Sequence, residues 1–173
     1  MAPRPARTCA NCASNPGARD PAPRGARVIR TRPLHPRDEP AWRVLWGAYL
    51  DFYDTVLPEE VHAASFSRLT DPGVLDYHGL IAEDAEGRPM GLVHYIFHRH
   101  GWRLEEVTYL QDLYVAPAAR GTGMGRALIE AVFAAADAAG RPHVYWLTQS
   151  FNSTARQLYD RIGEATPFVK YVR

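Results

Sequence analysis

The stretch VAPAARGTGMGRAL, residues 115–128, sets glycine at positions 121, 123 and 125 between an apolar run that reads as a strand and an alanine-rich run that reads as a helix. A strand, a glycine turn and a helix N-terminus together turn backbone N–H groups toward an anion, and the helix dipole adds to their pull. Arg120 and Arg126 bring positive charge to the same loop. Two familiar glycine signatures fail here. A dinucleotide G-x-G-x-x-G read from Gly121 meets Arg126 where its last glycine belongs, and read from Gly123 it meets Leu128. A P-loop needs a lysine and a hydroxyl for magnesium after its last glycine, and neither is present. A pyrophosphate held by backbone amides fits what remains.

Outward from this loop the pattern alternates between strand and helix. Leu128, Ile129, Val132, Phe133 and Ala136 follow helical spacing, and Gly140 is placed to end that helix at its C′ position. HVYWLTQ (143–149) reads as a strand, STARQLYDRIG (153–163) as a helix capped by Asn152 or Ser153 and closed by Gly163, and PFVKYV (167–172) as a last strand. Upstream, RVIRTR (27–32) is a short strand, and Trp42, Leu45, Trp46, Tyr49, Phe52 and Tyr53 are helically spaced. Pro58 opens a second helix, and YHGLIAEDAEGRPMGLVHYIFHRH (77–100) reads as a hairpin about the turn EGRP. EEVTYLQDLYV (105–115) is the third consecutive strand. The order predicts an α/β fold with a mixed, mostly antiparallel sheet, in which the glycine loop and its helix cross over between two parallel strands.

With 173 residues, 46% of them hydrophobic, the chain suits one core, and its formal net charge of +1 argues against a nucleic acid or an anionic membrane as partner. Residues 1–26, rich in proline, arginine and alanine without apolar periodicity, read as a disordered tail, and residues 27–173 as the domain. No run approaches the roughly 20 apolar residues of a spanning helix, and no secretory h-region opens the chain, so a cytoplasmic protein is expected. Cys9 and Cys12 lie in the tail and read as two reduced thiols rather than half a zinc site.

Val115, Arg120, Gly123 and Gly125, following the strand LQDLYV, meet the pattern V-x-x-x-x-R-x-x-G-x-G, which resembles the acetyl-CoA motif of the GNAT superfamily of N-acetyltransferases. FNSTARQLYDRIG resembles the superfamily's second cofactor segment, with Asn152 and Tyr159 at the matching places. YLDFYDTVLPEEV, HYIF and YLQDLYV are similar to the subgroup that includes histone and polyamine acetyltransferases. The resemblance implies the GNAT fold, helices on both faces of the sheet, and a splayed parallel pair of strands that receives the pantetheine arm of acetyl-CoA. It assigns the cosubstrate to the backbone of Leu113 and Val115, to the loop Arg120, Gly121, Thr122, Gly123, Met124, Gly125 and Arg126, and to Asn152 and Arg156.

Acetyl transfer also needs a proton for the departing thiolate and a neutral amine. By the same resemblance Tyr159 is the acid. In polyamine-type relatives a glutamate occupies the position of Gln111, and glutamine cannot take a proton. That leaves Asp112, Glu105 or Glu106 as the base, although strand alternation puts Asp112 on the face opposite Gln111. Trp46, Tyr49 and Tyr53, beside Asp51, Asp54, Glu59 and Glu60, form an aromatic and acidic neighbourhood suited to a cationic acceptor. His94, His98 and His100 alternate along one strand, but without fitting cysteine or carboxylate partners they suggest a proton relay at the site's edge rather than a metal site. The expected activity is direct transfer of acetyl to a primary amine: a polyamine-like or amino-acid-like molecule, or a protein lysine. A non-catalytic acyl-CoA sensor is the alternative that Gln111 keeps open. A homodimer through the C-terminal edge strand is expected, since a bare edge needs cover.

Overall fold

The computed structural model describes residues 28–173, and the tail with Cys9 and Cys12 lies outside them. Five strands form one sheet in the order β1 (Arg30–Pro33), β2 (Tyr77–Glu83), β3 (Pro89–His98), β4 (Val107–Val115) and β5 (Val144–Trp146). The first three pairings are antiparallel and the last, β4 with β5, is parallel, because α3 (Met124–Ala138) carries the chain back across the sheet between them. This is the α/β layout with a mixed, mostly antiparallel sheet that the order of elements predicts.

Each face of the sheet has its own core. On one side, α1 (Glu39–Phe52) and α2 (Glu59–Thr70) bury Trp42, Leu45, Trp46, Leu50, Phe66 and Leu69 against Ile81, Leu92 and Tyr114. On the other, α3 buries Met124, Leu128, Ile129 and Val132 against Leu80, Val93, Tyr95 and Leu110. Each fully buried leucine, isoleucine or valine contributes about 2 kcal/mol by leaving water. α3 approaches β3 closely because residue 91 is glycine: a Cβ there would lie 3.0 Å from the Tyr114 carbonyl oxygen and 3.1 Å from Leu128.

β1 is tied to the start of α1 by charge. Arg32 donates to Asp38 at 2.6 and 2.9 Å and to Glu83 at 2.6 and 2.8 Å, while the His35 N–H also donates to Asp38 at 2.8 Å. Asp38 and Glu83 are both buried, so the guanidinium is the cation that makes them tolerable there.

Three expectations about the C-terminal third need correction. Residues 167–172 carry no strand: Phe168, Val169, Tyr171 and Val172 are exposed, and no strand among the described residues receives them. β5 is three residues long, ending at Trp146, where the apolar alternation ran to residue 149. α4 (Ser153–Tyr159) ends four residues early, its carbonyls closed by Ile162 and Gly163 N–H groups that both bond to Tyr159 O. Residue 163 is glycine for proximity, since a Cβ there would lie 2.6 Å from Trp146 Cη2.

Candidate active site

The parallel pairing between β4 and β5 covers only Thr108, Tyr109 and Leu110. Beyond Leu110, β4 runs on through Val115 with no strand on that edge among the described residues. Unpaired backbone N–H and C=O groups on a strand edge are a template for an extended, hydrogen-bonding ligand. Arg120 closes the far end of this edge, donating from Nε to Val115 O at 3.1 Å with its guanidinium 5.9 Å from the Tyr114 ring centre.

The glycine loop lies at that far end. Gly121 and Gly123 hold φ of +73° and +95°, left-handed values that side chains with a Cβ rarely adopt. Gly123 is the N-cap of α3, and no acidic side chain in the first turn neutralises the positive end of that helix. Thr122 Oγ1 donates to Ala119 O at 2.7 Å and fixes the turn leading in. The Met124 side chain is buried in the core, so only its backbone belongs to the loop surface. A Cβ at Gly125 would meet Leu158 of α4 at 3.4 Å, so the loop and α4 are close neighbours. Open left-handed glycines, an unneutralised helix end and Arg120 and Arg126 nearby fit a pyrophosphate.

α4 forms the other wall. Asn152 is its N-cap: Oδ1 accepts from the Ala155 N–H at 3.3 Å, and Nδ2 donates to Thr148 Oγ1 at 3.3 Å. Arg156 donates to Ser150 O at 3.0 Å, holding the loop before the helix. Tyr159 packs edge-on to Trp146 at 5.6 Å between ring centres. Burial, with a smaller contribution from Tyr53, pushes its hydroxyl up to about 12, so it holds its proton at neutral pH.

Between these walls β4 departs from regular alternation. His94 pairs with Asp112 and Tyr95 with Leu110, which leaves Gln111 as an extra residue in a β-bulge. Leu110 therefore packs toward α3, whereas Asp112 turns toward α1. The expectation that Gln111 and Asp112 point to opposite faces is overturned: Gln111 Nε2 donates to Asp112 Oδ2 at 3.3 Å. Two further donors reach the same carboxylate, Tyr49 Oη to Oδ1 at 2.8 Å and His94 Nδ1 to Oδ2 at 3.0 Å. No arginine or lysine among the described residues pairs with this buried charge.

The other residues singled out in the sequence separate from this centre. Glu106 is bound by Arg141 at 2.7 Å and Glu105 lies near His143 at 3.4 Å, both before β4 begins and away from the bulge. Glu59 is held by Arg43 at 2.8 Å. His98 faces Tyr145 and His100 packs on Trp102, so the three histidines share no site, and His94 is fully buried rather than at an edge. Trp46 is buried behind Tyr49, stacked on it at 5.1 Å, and its Nε1 has no hydrogen-bond partner. Tyr49 and Tyr53, one helical turn apart, pack edge to face at 5.0 Å.

Tyrosines mark the space between the walls. Burial first and then the Asp112 charge raise the hydroxyl pKa of Tyr49, Tyr77 and Tyr109, and Tyr53 adds to the rise at Tyr49, Tyr109 and Tyr159. Phenols from α1, β2 and β4 thus lie within reach of the Asp112 charge, and Tyr53 lies near enough to Tyr159 of α4 to act on it. Tyr109 was not singled out from the sequence. Only the bulge brings it to the α1 face beside Asp112, and no residue type announces a bulge.

The model of the acetyltransferase (GNAT) family matches residues 40–163. The D-amino-acid N-acetyltransferase HPA3 of Saccharomyces cerevisiae is 41% identical over 145 residues, which span 84% of this chain and 90% of the yeast protein. Among solved structures, the aminoglycoside N-acetyltransferase AAC(6')-Iy bound to CoA superposes with a TM-score of 0.72 at 20% identity, over 88% of this chain and 97% of its own. A ribosomal-protein-alanine N-acetyltransferase from Brucella melitensis gives 0.69 at 20% identity, over 84% and 98%. The chain belongs to the GNAT family, as an N-acetyltransferase with acetyl-CoA as its cosubstrate.

Proposed function

We propose that the acceptor is the primary amine of a small amino-acid-like molecule, acetylated by direct attack within a ternary complex. The observation that carries this reading is Asp112, a buried carboxylate with no arginine or lysine among the described residues paired to it, at the bulge where β4 loses its outer neighbour. A buried charge needs a counter-charge or several donors, and an acceptor ammonium supplies the missing cation. Tyr49, Tyr53 and Tyr109 give that cation aromatic surroundings. The yeast relative, named for D-amino acids, supports an α-amine over a polyamine or a protein lysine.

In this reading the loop Arg120, Gly121, Thr122, Gly123, Met124, Gly125 and Arg126 binds the pyrophosphate, and the free edge at Leu113 and Val115 aligns the pantetheine. A backbone N–H at Leu113 or Tyr114 polarises the thioester carbonyl, a contact whose loss costs about 3 kcal/mol in other enzymes. Asn152 and Arg156 keep α4 in place, and Tyr159 donates its proton to the leaving sulfur. Gln111, unable to accept a proton, orients the carboxylate beside it. No cysteine lies in residues 27–173 to carry an acetyl group, which supports direct attack.

The test is thiol release from acetyl-CoA with D-alanine, other D- and L-amino acids, spermidine, an aminoglycoside and a histone-tail peptide. Turnover with amino acids is the expected result. Turnover confined to spermidine or the peptide would reject the acceptor class, and cosubstrate binding without thiol release from any amine would favour the acyl-CoA sensor.

A further inference from the structure

Asp112 is the middle of a four-residue chain that begins in the core. Trp42 Nε1 donates to His94 Nε2 at 2.9 Å, His94 Nδ1 lies 3.0 Å from Asp112 Oδ2, and Tyr49 Oη donates to Asp112 Oδ1 at 2.8 Å. An indole N–H can only donate, so His94 Nε2 must accept and the ring proton must sit on Nδ1, pointing to Asp112. A carboxylate only accepts, so the Tyr49 proton is committed to Oδ1 as well. The lone pairs of the Tyr49 oxygen are therefore left for a donor outside the chain. Every direction in the chain follows from the indole at one end and the carboxylate in the middle.

The geometry points to Tyr49 as the group that receives the acceptor's proton, with Trp42 and His94 as positioning residues that hold Asp112 ready to take the proton on. This inference rests on the reading that the acceptor amine sits between α1 and β4. One N–H bond of the bound ammonium breaks to Tyr49 Oη while the Tyr49 O–H bond breaks to Asp112 Oδ1, and the lone pair so freed on nitrogen attacks the thioester carbon. Tyrosine is regenerated, Asp112 becomes the carboxylic acid, and no free phenolate forms. That route suits a hydroxyl whose own ionisation is strongly opposed by burial and by the Asp112 charge. As the tetrahedral intermediate collapses, Tyr159 gives its proton to sulfur and is restored by the second proton that nitrogen loses. The Asp112 proton returns to solvent before the next turnover, so an ammonium and acetyl-CoA become an amide, a CoA thiol and one proton.

His94 must stay uncharged for this to work, since an imidazolium would compete for the carboxylate. It is fully buried, and the groups facing it are Trp42 and Trp46 from α1, Tyr77 and Gly79 from β2, and Asp112 from β4. The Trp42 hydrogen bond occupies the nitrogen that a second proton would need.

The experiment uses D-alanine, or whichever amine of the panel above turns over. Tyr49→Phe should lower kcat about 100-fold, the usual scale of a lost general base, with acetyl-CoA affinity unchanged. A kcat within about twofold of the parent would overturn the inference. Trp42→Phe should lower kcat with KM for the amine unchanged, and should free the His94 proton to move between Nδ1 and Nε2, which nitrogen-15 NMR reads. A folded Trp42→Phe protein with the parent kcat and the parent His94 tautomer would also overturn it. Should Trp42→Phe fail to fold, nitrogen-15 NMR of the parent decides: His94 should carry its proton on Nδ1 with a bare Nε2, and a proton on Nε2 would contradict the chain. If no amine releases thiol, the acceptor reading fails instead, and the NMR result still judges the hydrogen-bond chain by itself.

Discussion

Gln111 and Asp112 are neighbours in β4, yet their side chains meet, Nε2 to Oδ2, at 3.3 Å. A regular strand sends adjacent side chains to opposite faces, so the contact exists only because the bulge adds one residue to this side of the β3–β4 ladder. The bulge does two things at once. It brings Tyr109 and Asp112 to the α1 face together, and it coincides with the point at which β4 parts from β5.

Tyr159→Phe removes one hydroxyl from an otherwise aromatic contact with Trp146. Turnover should fall about 100-fold while the dissociation constant for acetyl-CoA stays near the parent value, as steady-state rates and calorimetry would show. Because this hydroxyl is pushed up to about 12, an alkaline fall in kcat well below pH 12 would have to come from another group.

Gly123→Ala places a Cβ on a residue with φ of +95°. The left-handed backbone alone costs about 1–2 kcal/mol. Acetyl-CoA affinity should drop as the loop relaxes, and Gly123→Glu, which adds a negative charge where the pyrophosphate is expected, should abolish binding. Unchanged affinity in the glutamate variant would remove the loop from the site.

Gly163→Ala puts a methyl group 2.6 Å from Trp146 Cη2, which must then move. Overpacking of this kind costs about 1–3 kcal/mol. Trp146 also carries Tyr159 on its edge, so kcat should fall with stability, whereas Gly47→Ala, on α1 with open space around it, should leave both nearly unchanged.

Much of this architecture is legible in the residues themselves. The glycine loop, the helical spacing of α1 and α3, the EGRP turn and the left-handed Gly140 after α3 all obey local rules that tertiary packing did not overrule. The C-terminal third is harder to read. The run from residue 167 alternates like a strand, but pairing is a property of two segments, and none among the described residues is placed to receive it. Asp112 was legible as a candidate base but not on its true face, for a similar reason: alternation along one strand cannot reveal that the partner strand lacks a residue opposite Gln111.

Stability should fall in strong alkali. The folded pKa of Tyr159 lies near 12, above the ordinary value of about 10, and Tyr49 and Tyr77 are raised further. Between those values the unfolded chain releases protons that the folded chain keeps, so stability is complete below about pH 10 and is lost as pH climbs toward and beyond 12. Denaturant midpoints at pH 9 and pH 11 should show the loss, with tyrosinate absorbance lagging until unfolding.

At the acid end the opposite sign applies. The Arg32 hydrogen bonds hold the Asp38 carboxyl below its ordinary 3.8, so its contribution is present above that value and disappears as pH falls through the folded pKa. Arg32→Met should cost about 3 kcal/mol at neutral pH by leaving Asp38 and Glu83 buried without their cation, and a loss under about 0.5 kcal/mol would show that solvent replaces the guanidinium.

The most direct measurement is a crystal structure with CoA bound. The thiol should lie within hydrogen-bonding reach of Tyr159 Oη, with the pantetheine along the free edge of β4 from Gln111 to Val115 and the pyrophosphate on the amides of residues 121–126. A thiol distant from Tyr159, or a pantetheine that bypasses the gap between β4 and β5, would contradict the site described above.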